Sequence, residues 1–345
     1  MRFRQDGAHR RAPPYAVYVM MDAHNHACGS RPRQLLVVVS RLLQLLLLVS
    51  RAAPANAASP LDGCHHVFLD VGANIGIHSR FLFEPTAFPD SSFRKIFDAY
   101  FGADRDPSTT CALSFEPNPA HRMHHIRQKK LYARHGWRYE PIASAVGARA
   151  GNLTFYPNVR REAQYLSKGK GLGKALGVGF GLADREGAGA GEYSQATAQS
   201  GIVRPVVDLA AFLLEAVAGR ALPRANASST RPPAVVVKMD VEGVEFAVAP
   251  RLLETRALCA VNFISIEWHT APKFLPHKIK AADGSPIHIA NSASATAARD
   301  NLIAALKRQA AGARCTGHYE LSDVDDESYW DYTSFARLNN HRPVG

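Results

Sequence analysis

The chain has 345 residues, of which 46% are hydrophobic and 21% are charged, a composition typical of a globular protein. Its formal net charge of +11 is uneven: residues 1–57 hold eight arginines, no lysine and two aspartates, so they carry +6 and the remainder carries +5. This small surplus, without basic residues interleaved with aromatic ones, argues against a nucleic-acid-binding protein.

The first 57 residues have the layout of a targeting leader. An arginine-rich start precedes a leucine-rich stretch over 35–49, and residues 55–57 form the A-x-A pattern of a cleavage site. This order predicts a secretory signal, cleaved or kept as a membrane anchor, and therefore the endoplasmic reticulum or Golgi lumen, or secretion. An organelle transit peptide is the alternative, because the segment is rich in arginine and poor in acids.

Four cysteines follow the leader, an even number that suits folding in an oxidising compartment. Cys64, Cys111 and Cys259 each precede a predicted strand. Of the three possible pairings we favour Cys64–Cys111 with Cys259–Cys315, and four buried thiols are the alternative.

The segment HVFLDVGANIGIHSR (66–80) predicts a buried strand, a tight glycine turn and a helix N-terminus. Its spacing, D-x-G-x-x-x-G, differs from the dinucleotide-binding G-x-G-x-x-G and from the phosphate-binding loop. Asp70 would repel a polyphosphate, but it suits S-adenosylmethionine, whose amino group is cationic. A strand-to-helix turn without a ligand is the alternative.

A first insert, over 86–110, separates this turn from the run CALSFEPNP (111–119), which predicts a second strand that ends at Glu116. Glu116 lies 46 positions after Asp70. Because about 20 positions are usual between a glycine turn and a ribose-binding acid, the spacing of Glu116 departs from the usual pattern for that role. Residues 120–135 predict a helix, and 137–147 predict the third strand and its exit.

A second insert, near 160–200, includes a glycine-rich loop over 168–191 that is either a lid or a plain insertion. Residues 205–217 predict a helix capped by Asp208.

The remaining elements are two strands, a helix and a terminal strand pair. Buried strands are predicted in the runs PAVVVKMDVEGVEF (233–246) and AVNFISIEWH (260–269). An amphipathic helix is predicted over 299–309, and a final pair of strands over 317–323 and 328–336.

The alternation of apolar runs with helical patterns predicts an α/β fold with a mostly parallel sheet, over a domain of residues 64–336. The carboxyl ends of parallel strands share one edge, where ligands bind. We therefore expect Asp70, Glu116, Asp240 and Glu267, which end four apolar runs, to converge on one crevice.

The motifs DVGANIG, SFEPNP, KMDVEGVE and ISIEWH, in this order, resemble the FkbM family of S-adenosylmethionine-dependent methyltransferases over roughly residues 64–333. The resemblance implies a class I methyltransferase fold, Rossmann-like, with seven strands, helices on both faces and a reversed strand near the C-terminus. It also implies O-methylation, and leaves open whether the hydroxyl belongs to a glycan, a lipid or a small molecule.

Cofactor contacts are expected from the glycine loop and two later positions. Asp70, Gly72, Asn74 and Gly76 would hold the methionine part, and Glu116 would accept hydrogen bonds from the ribose hydroxyls. Ser144 lies where the adenine is expected, although an exit-loop serine is the alternative.

The expected chemical centre follows the third and fourth buried runs. Asp240 is the first choice for the general base, His269 the second, and Glu267 lies beside them. Glu242 and Glu245 would bind the molecule whose hydroxyl is methylated. The alternative is that these two acids only offset the dipole of the helix that begins there.

Lys238, inside a buried run, needs a counter-charge from Asp240 or Glu267. No metal is expected, because no sequence-local ligand set is complete, and a divalent metal held by the carboxylates of this region is the alternative.

Two other functions remain open at this point: a nicotinamide-dependent oxidoreductase on a similar sheet, and a catalytically inactive carbohydrate-binding protein.

Overall fold

The computed structural model describes residues 59–156, 181–182, 202–223, 231–271, 278–280, 286–288, 290–312 and parts of 315–326. The predicted leader, most of the glycine-rich loop and the predicted strand over 328–336 lie outside these residues.

The described strands, in chain order, are β1 (His66–Val71), β2 (Thr110–Phe115), β3 (Arg138–Ile142), β4 (Ala145–Gly147), β5 (Gly151–Tyr156), β6 (Gly181–Leu182), β7 (Ile202–Asp208), β8 (Val235–Met239), β9 (Phe263–Ile266), β10 (Lys278–Lys280), β11 (Pro286–His288) and β12 (Glu320–Ser322). The described α-helices are α1 (Ile77–Phe83), α2 (Ser92–Phe101), α3 (Arg122–Arg134), α4 (Leu209–Phe212, continued as a π-turn over Leu213–Val217), α5 (Glu245–Thr255) and α6 (Ser292–Ala311).

Six strands form the main sheet in the order β12-β9-β8-β1-β2-β3, and every neighbouring pair is parallel. The chain builds the sheet outward from β1 to β3 and then returns to the other side of β1 with β8. This reversal places a topological switch point between β1 and β8, where open α/β sheets bind ligands. The predicted α/β, Rossmann-like fold class is confirmed.

The first of the two predicted terminal strands is present. Residues 320–322, within the predicted segment 317–323, form β12, which runs parallel to β9. The expected reversed strand over 328–336, the seventh of the fold, lies outside the described residues.

The central strands are buried on both faces, because helices cover each side of the sheet. One face of β1 presents Phe68 to a core formed with α1, α2 and α3, and the other presents Val67, Leu69 and Val71 to α4, α5 and α6. This two-sided burial explains why β1, β2 and β8 appear in the sequence as continuous apolar runs and not as alternating ones.

The first insert contains a core helix. Phe93, Phe97 and Phe101 recur every fourth position of α2, are fully buried and pack near Phe68. These three aromatic residues of 86–110 are therefore core residues, and Phe88 and Tyr100 pack against the same core while partly buried.

A second sheet, ordered β4-β7-β5-β6, departs from the predicted elements in two places. Within 137–147, residues 138–142 form the predicted third strand, β3, whereas the predicted exit contains β4 of the second sheet. Residues 205–208, predicted to be helical, complete β7, which pairs with β5, because β-branched residues favour a strand wherever a partner is present. Asp208 does cap the helix that follows, accepting a hydrogen bond from the backbone N–H of Ala211 at 3.1 Å.

Both favoured disulfides, Cys64–Cys111 and Cys259–Cys315, are present. The first joins the segment before β1 to the start of β2, two strands that already pair in parallel. Among the described helices, none has the length and apolar character needed to cross a bilayer.

Candidate functional site

A cleft opens at the carboxyl edge of the main sheet, beside the switch point. Its lining comprises Gly72, Asn74, Phe115, Glu116, Pro117, Asn118, His121, Ala145, Val146, Leu153, Phe155, Asp240, Val241, Glu242 and Val244. Five residues predicted for the site are therefore brought together here. The remaining six, Asp70, Gly76, Ser144, Glu245, Glu267 and His269, are not part of this lining.

A glycine is required at position 72, where the ends of two strands meet. Its φ is +81°, and a Cβ there would lie 1.7 Å from the backbone oxygen of Asp240. The glycine therefore lets the end of β1 touch the end of β8, which closes the switch point. Backbone therefore occupies the space that a Cβ would need, and Gly72 also lines the cleft.

The glycine loop is held by Glu116, at the end of β2. One carboxylate oxygen accepts a hydrogen bond from the backbone N–H of Asn74 at 2.7 Å, and the other accepts one from the N–H of Asn118, also at 2.7 Å. Asn74 adopts a left-handed φ of +50°, a conformation that asparagine tolerates. Each carboxylate oxygen can accept a further hydrogen bond, so Glu116 can bind a ligand while it shapes the loop.

A buried network lies beneath this loop and was not expected from the sequence. His125 on α3 donates from Nε2 to the carbonyl oxygen of Asn74 at 2.7 Å, and its Nδ1 bonds to the hydroxyl of Tyr139. Gln128 donates to the carbonyl oxygens of Ile75 and Gly76, both at 3.2 Å. The helix α3 thus fixes the loop conformation from below.

Asp70 is fully buried beneath the loop, outside the cleft. Neither carboxylate oxygen has a hydrogen-bond partner among the described residues, and Nδ1 of His78 lies 3.9 Å away. Burial raises the pKa of Asp70, the Lys238 ammonium opposes this, and the resulting pKa is about 7. The structure does not place Asp70 where it would contact a ligand in the cleft.

Lys238 finds its expected counter-charge in Asp240. Its Nζ donates to Oδ2 of Asp240 at 2.8 Å, and the lysine is only 4% exposed. Burial by itself raises the pKa of Asp240, but the charges of Lys238 and His269 outweigh it, so the pKa lies below its usual range. Asp240 is therefore ionised at neutral pH and is a weaker base than its position suggested.

Ser144 is buried near the exit of β3, where its backbone N–H donates to the carbonyl of Ile142 at 2.8 Å. Its neighbours Ala145 and Val146 line the cleft, and Ser144 does not.

His269 lies at the centre of four carboxylates. Its Nδ1 donates to Oε1 of Glu245 at 2.9 Å, and Nε2 lies 3.7 Å from Asp240, 3.8 Å from Glu242 and 3.5 Å from Glu267. Burial lowers the pKa of His269, but the Glu245 hydrogen bond and the surrounding acids raise it to about 9. As arranged, His269 is a cation at neutral pH and has no lone pair to accept a proton.

Glu245 is fully buried at the first turn of α5, so it does more than offset a helix dipole. Besides His269, it accepts a hydrogen bond from the backbone N–H of Val241 at 3.0 Å. Glu242, which lies between Val241 and Glu245 in the sequence, has a positive φ of +53°. Strained backbone conformations of this kind cluster at functional sites.

The charged residues that line the cleft have one sign. They are Glu116, Asp240 and Glu242, and no lysine or arginine of the described chain lines it. Such a cleft attracts a cationic ligand and repels a pyrophosphate.

Sequence reasoning missed part of the lining. Asn118 and His121 follow Glu116 closely, and that proximity was an available signal. Leu153 and Phe155 come from β5 of the second sheet, and nothing local in the sequence links them to the site.

Comparison with known proteins adds little. No family model matches the chain, and no curated protein matches its sequence. Among solved structures, a methyltransferase FkbM from Methylobacillus flagellatus KT matches 63% of this chain and 35% of its own length, with 11% identity and a TM-score of 0.25. The chain thus spans about a third of that protein, and membership of the FkbM family stays a prediction.

Proposed function

We propose that this protein is an S-adenosylmethionine-dependent methyltransferase that methylates a hydroxyl group of a glycan, a lipid or a small molecule. The observation that carries the proposal is the cleft at the switch point, whose charged lining consists of carboxylates. The four ordered sequence motifs support the same function.

The residues of the cleft fit this cofactor. Its sulfonium and ammonium groups are cationic and suit the acidic lining, whereas the apolar residues Ala145, Val146, Leu153 and Phe155 suit a flat base. Glu116 ends the strand next to β1, where acids bind ribose hydroxyls in nucleotide folds. When bound, S-adenosylmethionine would supply an electrophilic methyl group.

The chain's own residues would align the acceptor. Asp240 is ionised, and its Oδ2 is held by Lys238, so Oδ1 can accept a hydrogen bond from the acceptor hydroxyl. Orientation of the two reactants contributes up to about 7–11 kcal/mol in favourable cases. We assign this alignment to Asp240 first. As the methyl group bonds to the oxygen, the hydroxyl proton becomes strongly acidic and would pass to Oδ1 of Asp240 in spite of its lowered pKa.

The first experiment measures binding to the purified chain by isothermal titration calorimetry. S-adenosylhomocysteine should bind, and Glu116→Gln should weaken it at least tenfold. Glu140→Gln is the matched control, since Glu140 lies on the neighbouring strand, is half exposed and pairs with Lys129. Absence of binding, or equal binding by both variants, would contradict the proposal.

A second experiment tests turnover. The chain is incubated with methyl-labelled S-adenosylmethionine and fractionated cell glycans and lipids, and label should transfer to one fraction. Binding of S-adenosylhomocysteine without transfer to any fraction would favour the catalytically inactive binding protein. Binding of NAD in its place would favour the oxidoreductase, which the acidic lining argues against.

We also propose that the chain enters the secretory pathway. The sequence of the leader supports this, and so do the two disulfides, which persist in oxidising compartments. Asn152, in an N-x-T acceptor motif, is exposed on β5. A mobility shift of the tagged chain on enzymatic removal of N-glycans would support the location, and import into chloroplasts or mitochondria would exclude it.

A further inference from the structure

We infer that the outward face of α3 binds an acidic polysaccharide. Arg127, Lys130 and Arg134 recur every three or four positions of this helix, so they lie on one face, which we call the basic stripe. All three are exposed, whereas His125 and Tyr132, on the opposite face, are buried. The basic stripe lies outside the cleft, so this surface goes beyond the proposed methyltransferase function and does not require it.

The positive charge of the chain after the leader is concentrated around this helix. Residues 58–345 carry a net charge of +5. The segment 117–139 contains four arginines, two lysines and no acid, so it alone carries +6 and the rest of 58–345 carries a net charge of −1. The small surplus of the sequence is therefore a local property of one surface.

The basic stripe has no acidic partner within the part of the chain that the structure describes. Of the arginines and lysines of α3, only Lys129 forms a salt bridge there, with Glu140 at 2.6 Å. The members of the stripe are like charges three and four positions apart, a spacing that destabilises a helix. Arg122, the first residue of α3, also opposes the helix dipole. Local conflicts with stability are expected at functional sites.

The chemistry of the basic stripe indicates an anion with repeated charges. Its ends lie seven positions apart, which is about 10 Å along the helix axis. A guanidinium group binds a carboxylate or a tetrahedral anion through two parallel hydrogen bonds, and the lysine ammonium adds a point charge. A single small anion would not span the stripe, whereas a linear chain with sulfate or carboxylate groups on successive units would.

An acidic polysaccharide fits this surface better than a membrane or a nucleic acid does. A membrane-surface helix inserts its apolar face into the lipid, but Leu131 and Tyr132 of α3 pack against the protein core. Single-stranded nucleic acid stacks on exposed aromatic side chains, and Tyr132, the one tyrosine, phenylalanine or tryptophan of α3, is buried. The two disulfides persist in oxidising compartments, which face neither nucleic acid nor the anionic cytoplasmic leaflet of membranes.

The helix α3 also begins beside the cleft. Asn118 and His121 line the cleft and come shortly before Arg122. A polysaccharide on the basic stripe would run along the helix toward this edge of the sheet, where one of its hydroxyl groups would meet the cleft. Only this last role rests on the proposed function.

The first test is acetylation of lysines in the full chain, measured by mass spectrometry with and without a heparin oligosaccharide. Heparin should slow the acetylation of Lys130 several-fold in about 0.15 M salt. Lys95 on α2 and Lys307 on α6 are exposed and should react at an unchanged rate. Residues 1–57 are rich in arginine but contain no lysine, so this readout does not report on them. No slowing at Lys130, or equal slowing at all three lysines, would overturn the surface.

A double variant removes the two arginines of the basic stripe and keeps Lys130 as the reporter. With Arg127→Gln and Arg134→Gln together, the heparin concentration that half-protects Lys130 should rise at least about tenfold, because two charge-assisted contacts are lost. Glutamine is a good helix former and the repulsion within the stripe is removed, so the variant should unfold in a thermal scan no earlier than the wild type.

The matched control is Arg149→Gln with Arg308→Gln, which removes the same charge from two exposed positions outside α3. Protection of Lys130 should be as in the wild type. An equal loss of protection in both double variants would show a diffuse charge effect and overturn the basic stripe.

Other polyanions take the place of heparin in the last arm. Vesicles that contain phosphatidylserine, and a DNA oligonucleotide, should protect Lys130 less than heparin does at equal concentrations of negative charge. Equal or stronger protection by either would overturn the assignment to a polysaccharide.

The two proposals fail separately. S-adenosylhomocysteine binding without protection of Lys130 by heparin would overturn the polysaccharide surface and leave the methyltransferase standing. Protection of Lys130 without S-adenosylhomocysteine binding would do the reverse.

Discussion

Replacing Asp70 by asparagine should change how the stability of the protein depends on pH. The side chain is fully buried, without a hydrogen-bond partner among the described residues, and its pKa is about 7 compared with 3.8 in an unfolded chain. Between these two values the folded state holds a proton that the unfolded state has lost. The free energy of unfolding must therefore fall as the pH rises through this window.

The size of the effect follows from the two pKa values of Asp70. One pKa unit corresponds to about 1.4 kcal/mol. Between pH 5 and pH 8, the difference in proton binding therefore lowers the free energy of unfolding of the wild type by roughly 2–3 kcal/mol. Asp70→Asn is nearly isosteric and cannot ionise, so it lacks this contribution. We expect the variant to gain about 2–3 kcal/mol relative to the wild type on going from pH 5 to pH 8.

Urea unfolding at pH 5, 6, 7 and 8 measures this difference directly. Asp300→Asn is the control, because Asp300 is exposed on α6 and its variant should follow the wild type at every pH. A free energy of unfolding of Asp70→Asn that, relative to the wild type, stays constant or falls from pH 5 to pH 8 would refute the reasoning.

Three further changes test the architecture. Gly72→Ala should lower the free energy of unfolding by about 2 kcal/mol or more and should weaken S-adenosylhomocysteine binding. The reason is that the added Cβ would lie 1.7 Å from the backbone oxygen of Asp240. Gly136→Ala, also at a positive φ but with open space around the Cβ, should cost less in the same urea titration and should leave binding intact. Replacing Cys64 and Cys111 together by serine removes a link between positions 47 residues apart and should cost about 4 kcal/mol, measured by calorimetry. Phe97→Ala should cost about 3–5 kcal/mol, because the side chain is fully buried among aromatic rings; a loss below about 1 kcal/mol in urea would contradict that packing.

The sequence by itself determined the central strands and where they end. Runs such as 235–239 are continuous and apolar because helices cover both faces of the sheet, and such burial is visible in the residues themselves. Acids that end these runs could be assigned to one edge, since all parallel strands end there, and Asp240 and Glu116 do line one cleft. The Lys238–Asp240 pair followed from the cost of burying an unpaired ammonium.

Only the tertiary structure decided which of these acids face the cleft and what the others contact. Asp70 lies within β1, level with Lys238, whereas Asp240 follows the last residue of β8, so Asp70 is buried under the glycine loop and Asp240 reaches the cleft. Likewise, His269 meets Glu245 across 24 positions of the chain only after β8 and β9 pair. Local patterns report how buried a residue is, whereas the contacts made at the strand ends depend on strand order and on the backbone of the turns, which no local pattern records.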